Sequence, residues 1–413
     1  MKFFKREKYL SKIRGFYNAC DIIKVITGIR RSGKSSLLEM IKEELILNGT
    51  NEENIIFINL DKKGYKYIKT PDKLETAIDA LIHTNKKNET IYLFIDEIQN
   101  VKGFEEVINS YREEGYFSIF ITGSNSYLLS GELITKLTGR YLEFEIFPLS
   151  FDEYIQMKKF YKKSIDVNLM VELNEYILDG GFPRALLLDN LEDKRTYTKG
   201  LINEIFKKDI QRRVKIKDVE SFELVRNFLI NNFGSIMSVN SITNALIKTG
   251  VKTTRQTIKK YIQVLLDAKI LYECNIFDVK SKRVLLGEKK YYLADTSLYF
   301  SLNTDNRINY GPCLQNIIYF YSKSLGYEVS VGRIGKLECD FILRERELDY
   351  YYIQVSFTIL SSKDTEDREF KPLEMIKDNY PKYVLTTDYL LQKRSGIKHY
   401  NIMDFISKGE RFR

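Results

Sequence analysis

Histidine and cysteine are scarce in this chain. Only His83 and His399 occur among 413 residues, too few for a histidine-built metal site or a Ser-His-Asp triad. The cysteines, Cys20, Cys274, Cys313 and Cys339, stand far apart, and no C-x-x-C pair occurs. Neither a zinc site nor a disulfide framework is indicated, and a reducing cytoplasm fits. No apolar run approaches the roughly 20 residues that a membrane helix needs. The N-terminal stretch is basic and aromatic and lacks the apolar core of a signal peptide. These absences predict a soluble, cytoplasmic protein without a membrane partner.

What is present is ordinary in amount. Apolar residues make up 44% and charged residues 29%, a globular balance, and the length allows two or three domains with sizeable cores. A net charge of +9 and a pI near 9.0 favour an anionic partner, nucleic acid among them.

The distinctive stretch is Gly28-Ile29-Arg30-Arg31-Ser32-Gly33-Lys34-Ser35, which reads G-x-x-x-x-G-K-S, the phosphate-binding P-loop. Its flanks suit it. Ile22–Thr27 is β-branched and apolar and predicts a buried strand; Ser36–Leu45 repeats apolar residues at helical spacing. Gly28 and Gly33 permit a tight turn with backbone N–H groups facing inward. The helix start adds unpaired N–H groups and partial positive charge, so a phosphate belongs there. Gly28 through Ser36 are therefore candidate ATP-binding residues, with Lys34 reaching the β- and γ-phosphates and the Ser35 hydroxyl on Mg2+.

Downstream, Ile55–Leu60 predicts a second strand, and Thr70-Pro71 a helix start with Thr70 as N-cap. Ile91–Ile95 is almost wholly apolar, as in a strand covered on both faces, and runs into Asp96-Glu97. After a P-loop this is the Walker B pattern: Asp96 would hold Mg2+ through water, and Glu97 would polarise the attacking water. Phe117–Thr122 predicts a fourth strand, expected between the P-loop and Walker B strands, with Ser124 and Asn125 at its tip as γ-phosphate sensors. Arg140, before a fifth strand over Tyr141–Ile146, is the candidate arginine finger for the nucleotide of a neighbouring subunit in a homo-oligomer.

Ser150 and Glu153 form a capping-box pattern, and helical spacing continues to about residue 215. Within it, Gly180-Gly181-Phe182-Pro183-Arg184 breaks one helix and starts another. In a lid over a nucleotide, that turn would place Pro183 or Arg184 near ATP. The pieces GIRRSGKSSLL, LFIDEIQN, ITGSNS, LTGRYLEFEIFPLSFDEY and GGFPRAL together resemble a family of prokaryotic AAA-like P-loop ATPases. Its members carry a C-terminal domain of unknown function that looks related to restriction-endonuclease-like folds. The resemblance spans essentially the whole chain and implies ATP binding and hydrolysis.

In the second half, Ser238–Leu271 holds two helix patterns around Lys248-Thr249-Gly250-Val251, followed by a strand and a basic hairpin over Lys280–Leu293. This predicts a helix-turn-helix with a wing, whose Thr254, Arg255, Lys259 and Lys260 could lie in a major groove. From Tyr310 the pattern is αβββαβ, resembling the PD-(D/E)xK nuclease core. Such a nuclease needs an Asp at one strand end and Glu-x-Lys on the next. Asp340 suits the first role, but the second reads Gln354-Val355-Ser356, and helical Gln315 stands where an acid would help. Asp340 and Gln354 are thus a vestigial nuclease site.

The expected fold class is α/β: a P-loop NTPase parallel sheet with a helical lid, then a winged helix and a degenerate PD-(D/E)xK-like α/β domain. The expected domains are 1–149, 150–217, 218–300 and 301–413. The expected function is an ATP-binding and ATP-hydrolysing AAA-like ATPase, Mg2+-dependent, switching on DNA through residues 252–260 and the C-terminal domain. Two rivals stand beside it: a nucleotide-gated signalling ATPase whose partner is protein, and an ATP-dependent nuclease.

Overall fold

In the computed structural model, which describes residues 3–82, 89–123, 139–211, 216, 218–303, 305, 307–345 and 349–413, the apolar runs of the first third form one parallel sheet. Its strands are β1 (Ile23–Thr27), β2 (Ile55–Asn59), β3 (Ile91–Asp96), β4 (Phe117–Thr122) and β5 (Tyr141–Glu145). They lie in the order β2-β3-β4-β1-β5, and every neighbouring pair is parallel. The fourth strand therefore falls between the P-loop and Walker B strands, as expected. Strands β1, β3 and β4 are buried along their whole length, which is why their sequences carry no polar alternation.

Successive residues serve opposite faces of this sheet. Leu93, Ile95, Ile119 and Ile121 pack with Leu74, Ile78, Val107 and Ile108 from α3 (Pro71–Asp79) and α4 (Phe104–Glu113). Tyr92, Phe94 and Phe120 pack with Leu10, Ile13, Leu37 and Ile41 from α1 (Glu7–Arg14) and α2 (Lys34–Leu47). On that second face Phe57, Phe94 and Phe120 stack across three adjacent strands, at centroid separations of 5.7 and 4.8 Å. Lys24 of β1 is fully buried beside them. Its ammonium sits 4.5 Å from the Phe120 ring centroid and donates to Ala19 O, Ile22 O and Ser118 Oγ. Burial pulls its pKa down to about 7. The parallel arrangement brings the carboxyl ends of β1, β3 and β4 to one edge, where ligands of open α/β sheets bind.

This sheet lies within the first of two compact units, Met1–Ile146; the second is Phe147–Arg413. The second opens with helices Phe151–Phe160, Leu169–Asp179, Pro183–Leu186 and Leu191–Ile205, a π-helical turn Phe206–Gln211, and helix Val219–Asn231. Glu153 accepts from the Ser150 N–H at 3.1 Å, the reciprocal half of the capping pair. At the Gly180-Gly181 junction a Cβ on Gly180 would lie 1.8 Å from Asp295 Oδ1, and one on Gly181 would lie 2.3 Å from Leu149 O. Only glycine fits there. The buried Asp295 carboxylate accepts from the Gly181 N–H at 2.6 Å and the Ser297 N–H at 2.9 Å, and burial raises its pKa to about 6.

The remaining strands are β6 (Ile236–Met237), β7 (Leu271–Asp278), β8 (Arg283–Leu293), β9 (Glu328–Ile334), β10 (Leu337–Arg344), β11 (Tyr350–Val355), β12 (Lys382–Thr386) and β13 (Lys398–Asn401). They form a single sheet in the order β13-β12-β11-β10-β9-β7-β8-β6. Strands β7 and β9, from either side of the boundary expected near residue 300, pair in parallel through Ile276–Asp278 and Val331–Arg333. Each would otherwise be an open edge, and pairing satisfies both rows of backbone groups.

Phe120→Ala should destabilise the chain by about 3–5 kcal/mol, because it empties the centre of the aromatic stack and uncovers the Lys24 ammonium. A lowered urea midpoint with unchanged slope checks this.

Candidate functional site

The P-loop spans the turn from β1 into α2. Gly28 has φ 137°, and a Cβ there would lie 2.1 Å from Ile146 O, so the backbone approach at the strand end requires glycine. Gly33, at φ 106°, is the N-cap of α2. Lys34 is buried, and its ammonium donates back to Gly28 O at 2.9 Å and Ile29 O at 3.1 Å. Arg30 is buried, while Arg31 is exposed with φ 68°. Ser32 is fully buried. Ser35 is exposed on the first turn of α2, and Ser36 is half-buried beside it.

Asp96 closes β3 and is 1% exposed, so its carboxylate must find partners within the protein. Oδ1 accepts from the Thr122 hydroxyl, and Oδ2 accepts from Asn59 Nδ2 at 2.7 Å. Burial pushes its pKa up, while the Thr122 and Ser35 hydroxyls and the Lys34 charge pull it down. Glu97 follows in the left-handed region at φ 59°, a conformation that costs energy for a residue with a Cβ. The same Thr122 Oγ1 that donates to Asp96 accepts from the Glu97 N–H at 3.1 Å. The Glu97 carboxylate accepts from Gln99 Nε2. Lys34, Ser35, Asp96 and Glu97 thus stand together at the carboxyl edge of the sheet, joined by Thr122 and Asn59. Sequence reasoning missed those last two. Their only signal was position: each is a polar residue closing a mostly apolar strand.

The donor set suits a Mg2+–nucleotide: a hydroxyl and a carboxylate for a hard cation, and a glycine loop carrying cations for phosphates. Ser124 and Asn125 lie outside the described residues. Arg140 is at the opposite edge. Its carbonyl accepts from the N–H of Ile23 at 2.9 Å, at the start of β1, and its guanidinium donates to Asn109 Oδ1 at 3.1 Å. It is not brought to its own P-loop. Pro183 and Arg184 open a short helix of the second unit; Pro183 is half-buried and Arg184 exposed.

Asp340 of β10 belongs to a second polar cluster. It is 3% exposed. Its Oδ1 accepts from Gln315 Nε2 at 2.7 Å and its Oδ2 from the Val355 N–H at 2.8 Å. The Lys290 ammonium, from β8, lies 2.5 Å from Glu338 Oε1 and 4.0 Å from Asp340 Oδ1, and donates to Gln315 Oε1 at 3.1 Å. Gln354 turns its carbonyl oxygen to the Asp340 N–H (3.3 Å) and its amide to Glu369 Oε2 (2.8 Å). Ser356 Oγ donates to Thr358 O. This is a poor fit to a nuclease metal: the Asp340 oxygens are engaged, the Gln354 carbonyl is spent on a backbone amide, and an internal ammonium holds the cationic place. Among the described residues no group of three or more His, Cys, Asp or Glu converges as a metal site. Sequence gave Asp340, Gln354 and Gln315 but no signal for Lys290, Glu338 or Glu369.

A glycine loop after β1, an Asp-Glu pair ending β3 and the strand order β2-β3-β4-β1-β5 define a P-loop ATPase of the AAA type. Residues 21–155 match an AAA domain, and residues 170–307 match a domain of unknown function, DUF8612. The chain belongs to a family of AAA-domain ATPases that it matches over nearly its whole length. It is 35% identical over 402 residues to an uncharacterized protein of Haemophilus influenzae, covering 97% of this chain and 98% of that relative. It is 33% identical over 368 residues to the uncharacterized protein MJ1544 of Methanocaldococcus jannaschii, covering 86% and 79% respectively. In fold it is similar to the Walker-type ATPase PABY2304 of Pyrococcus abyssi, with a TM-score of 0.51 at 16% identity, covering 73% of this chain and 96% of that one. No helix among the described residues is long and apolar enough to cross a membrane.

Two outcomes are expected from these clusters. Thr122→Val keeps the shape but removes the donor to Asp96 Oδ1, leaving Asn59 on Oδ2, and leaves the Glu97 N–H without its acceptor. ATP turnover should fall roughly tenfold to a hundredfold, at about 1–3 kcal/mol for an unsatisfied buried group, with ATP affinity nearly unchanged in calorimetry. Burial raises the Asp340 carboxyl from its ordinary 3.8 to about 7. The folded chain then binds a proton that the unfolded chain has released, so this group lowers stability as pH rises through that window. Melting curves from about pH 5 to 8 should show Asp340→Asn gaining on the wild type as pH rises; a pH-independent difference would count against the shift.

Proposed function

We propose that the chain binds ATP at the P-loop, hydrolyses it with Glu97, and uses the nucleotide state to control a DNA-contacting face of its second unit. The observation that carries the catalytic part is the Thr122 hydroxyl, which fixes Asp96 and Glu97 together at the edge where Lys34 and Ser35 also stand. Backbone N–H groups from Gly28 to Ser36 cradle the phosphates. Lys34 exchanges the Gly28 and Ile29 carbonyls for phosphate oxygens. Ser35 and Asp96 would hold Mg2+, which when bound would neutralise phosphate charge. Glu97, released from Gln99, takes the proton of the attacking water. Arg140, away from its own P-loop, serves the nucleotide of an adjacent copy of the chain.

The DNA part rests on topology and charge. Helix Val219–Asn231, β6, helices Val239–Lys248 and Arg255–Asp267, then β7 and β8, with β8 between β6 and β7, support a winged-helix reading. Arg255, Gln256, Lys259 and Lys260 are exposed on its second helix, and Lys280, Lys282 and Arg283 on the hairpin turn. A helix with that face suits a major groove, and the hairpin cations suit phosphates. The αβββαβ part is read as structural, because Lys290 neutralises the cluster where a nuclease would hold its ion.

Lys34→Ala should abolish ATP binding, and Glu97→Gln should bind ATP without turning it over; equal turnover by Glu97→Gln and wild type would remove the base assignment. Arg140→Ala mixed with Glu97→Gln should regain part of the activity, because one mixed interface pairs an intact base with an intact finger. A protein that remains monomeric with ATP yet turns over fully would sink that role. Binding to a random duplex should weaken steeply with salt, and replacing Arg255, Lys259 and Lys260 by alanine should reduce the log–log slope by about 3. Salt-independent binding, or none, would move the protein-partner reading ahead. Supercoiled plasmid should not be nicked with Mg2+ or Mn2+; nicking lost in Asp340→Ala but kept in Lys34→Ala would restore the nuclease reading.

A further inference from the structure

The first unit holds a buried cation that the catalytic scheme does not use. Arg6 precedes α1 and is 3% exposed. Its Nη1 donates to Ser32 O at 3.0 Å, and the same nitrogen is 4.0 Å from where a Cβ on Gly33 would lie. The guanidinium carbon is 4.5 Å from the centroid of the buried Tyr9 ring. The segment is anchored on both sides. Arg6 O accepts from the N–H groups of Tyr9 and Leu10 at 3.0 and 3.1 Å. At the far end of α1, Arg14 donates twice to Glu44 of α2, at 2.9 and 2.8 Å, and the Tyr17 hydroxyl once, at 2.9 Å. Arg6 is therefore held against the loop by α1, which is itself clamped to the P-loop helix.

We propose that Arg6 is a positioning residue that sets the orientation of the Ser32–Gly33 peptide, and so keeps the P-loop in its phosphate-binding form. This rests on the nucleotide site proposed above. In a trans peptide the C=O and the next N–H point opposite ways. With the Ser32 carbonyl held by Arg6, the Gly33 N–H points away from the guanidinium. A P-loop works by turning such N–H groups toward an anion. Gly33 lies at φ 106° without a Cβ, so sterics alone leave this peptide free to rotate about its neighbours. The Ser32 side chain does not fix it either, since its buried Oγ has no hydrogen-bond partner among the described residues. A rotated peptide would aim a carbonyl dipole at the phosphates in place of a donor. The charged hydrogen bond from Arg6 opposes that rotation before nucleotide arrives, and preorganisation of this kind strengthens binding without touching the reacting atoms.

The test compares full-length wild type, Arg6→Ala and Arg6→Lys by calorimetric titration with ATP and ADP, steady-state turnover, and melting with and without nucleotide. Arg6→Ala should weaken both nucleotides about tenfold or more, the effect of losing one charged hydrogen bond. It should raise KM far more than it lowers kcat and shrink the nucleotide-induced rise in Tm. Arg6→Lys, which keeps a charged donor, should recover affinity to within roughly threefold of wild type. A lowered Tm without nucleotide, with affinities and the nucleotide-induced rise unchanged, would make Arg6 merely structural and overturn the proposal. If Arg6→Ala does not fold, Arg6→Gln takes its place, and wild-type affinity there overturns it equally. Failure of the wild type to bind either nucleotide would instead refute the nucleotide site itself.

Discussion

Asp96 is a carboxylate at the end of a strand with no exposed face, and its need for partners organises the site. A buried carboxylate without donors would take up a proton or pull water inward. Here Thr122 and Asn59 meet it from the ends of β4 and β2, the strands on either side. That is possible because a parallel sheet brings all three strand ends to one edge. The solution has a second consequence. Thr122 also holds the Glu97 amide, so the residue after Asp96 is kept in a left-handed conformation that it would otherwise leave. One hydroxyl therefore links the geometry of the proposed cation ligand to that of the proposed base.

Much of this was legible in sequence because the signals are local. The glycine loop, its strand and its helix are contiguous, and the apolar run ending in Asp96-Glu97 needs no partner to be recognised. The strand order followed from that pattern. Thr122 and Asn59 were not legible as site residues, because polar residues at strand ends are common. Only the juxtaposition of β2, β3 and β4 selects these two. Arg6 looked like one more charge in a basic arm until α1 packed its Tyr9, Leu10 and Ile13 under the sheet and drew it into the loop. Arg140 was legible as an arginine before the fifth strand. That it sits at the amino edge, away from its own P-loop, is a property of the parallel topology and not of spacing along the chain.

The second unit shows the opposite balance. Its individual helices and strands were readable from local periodicity, but the single sheet that joins them was not. β7 and β9 are separated by helices Ser297–Leu302 and Tyr310–Leu325, and nothing in either strand announces the pairing. Long-range edge pairing is set by which open edges are left once each part has folded. The Lys290 contact is similar. Its sequence context, Lys289-Lys290-Tyr291-Tyr292, reads as an ordinary strand, yet only one of the two lysines is buried. Lys289 pairs with Glu273 nearer solvent, while Lys290 enters the Asp340 cluster.

These buried polar contacts bear on how the second unit can move. Asp295 receives the Gly181 amide in space that only glycine leaves open, and Lys290 reaches Asp340 through both ends of the Gln315 amide. Buried ionic contacts add little net stability once desolvation is counted, but breaking one strands a charge. They act by excluding alternatives. A rotation that separated the Gly180-Gly181 junction from β8 would leave the Asp295 carboxylate without its Gly181 donor. A rotation that separated β8 from β10 would strand Lys290 and Asp340. With β7 and β9 also hydrogen-bonded, the junction, the hairpin and the five strands from β9 to β13 are constrained to shift together. A displacement of any one of them would then be shared with the exposed cations of the hairpin and the adjoining helix.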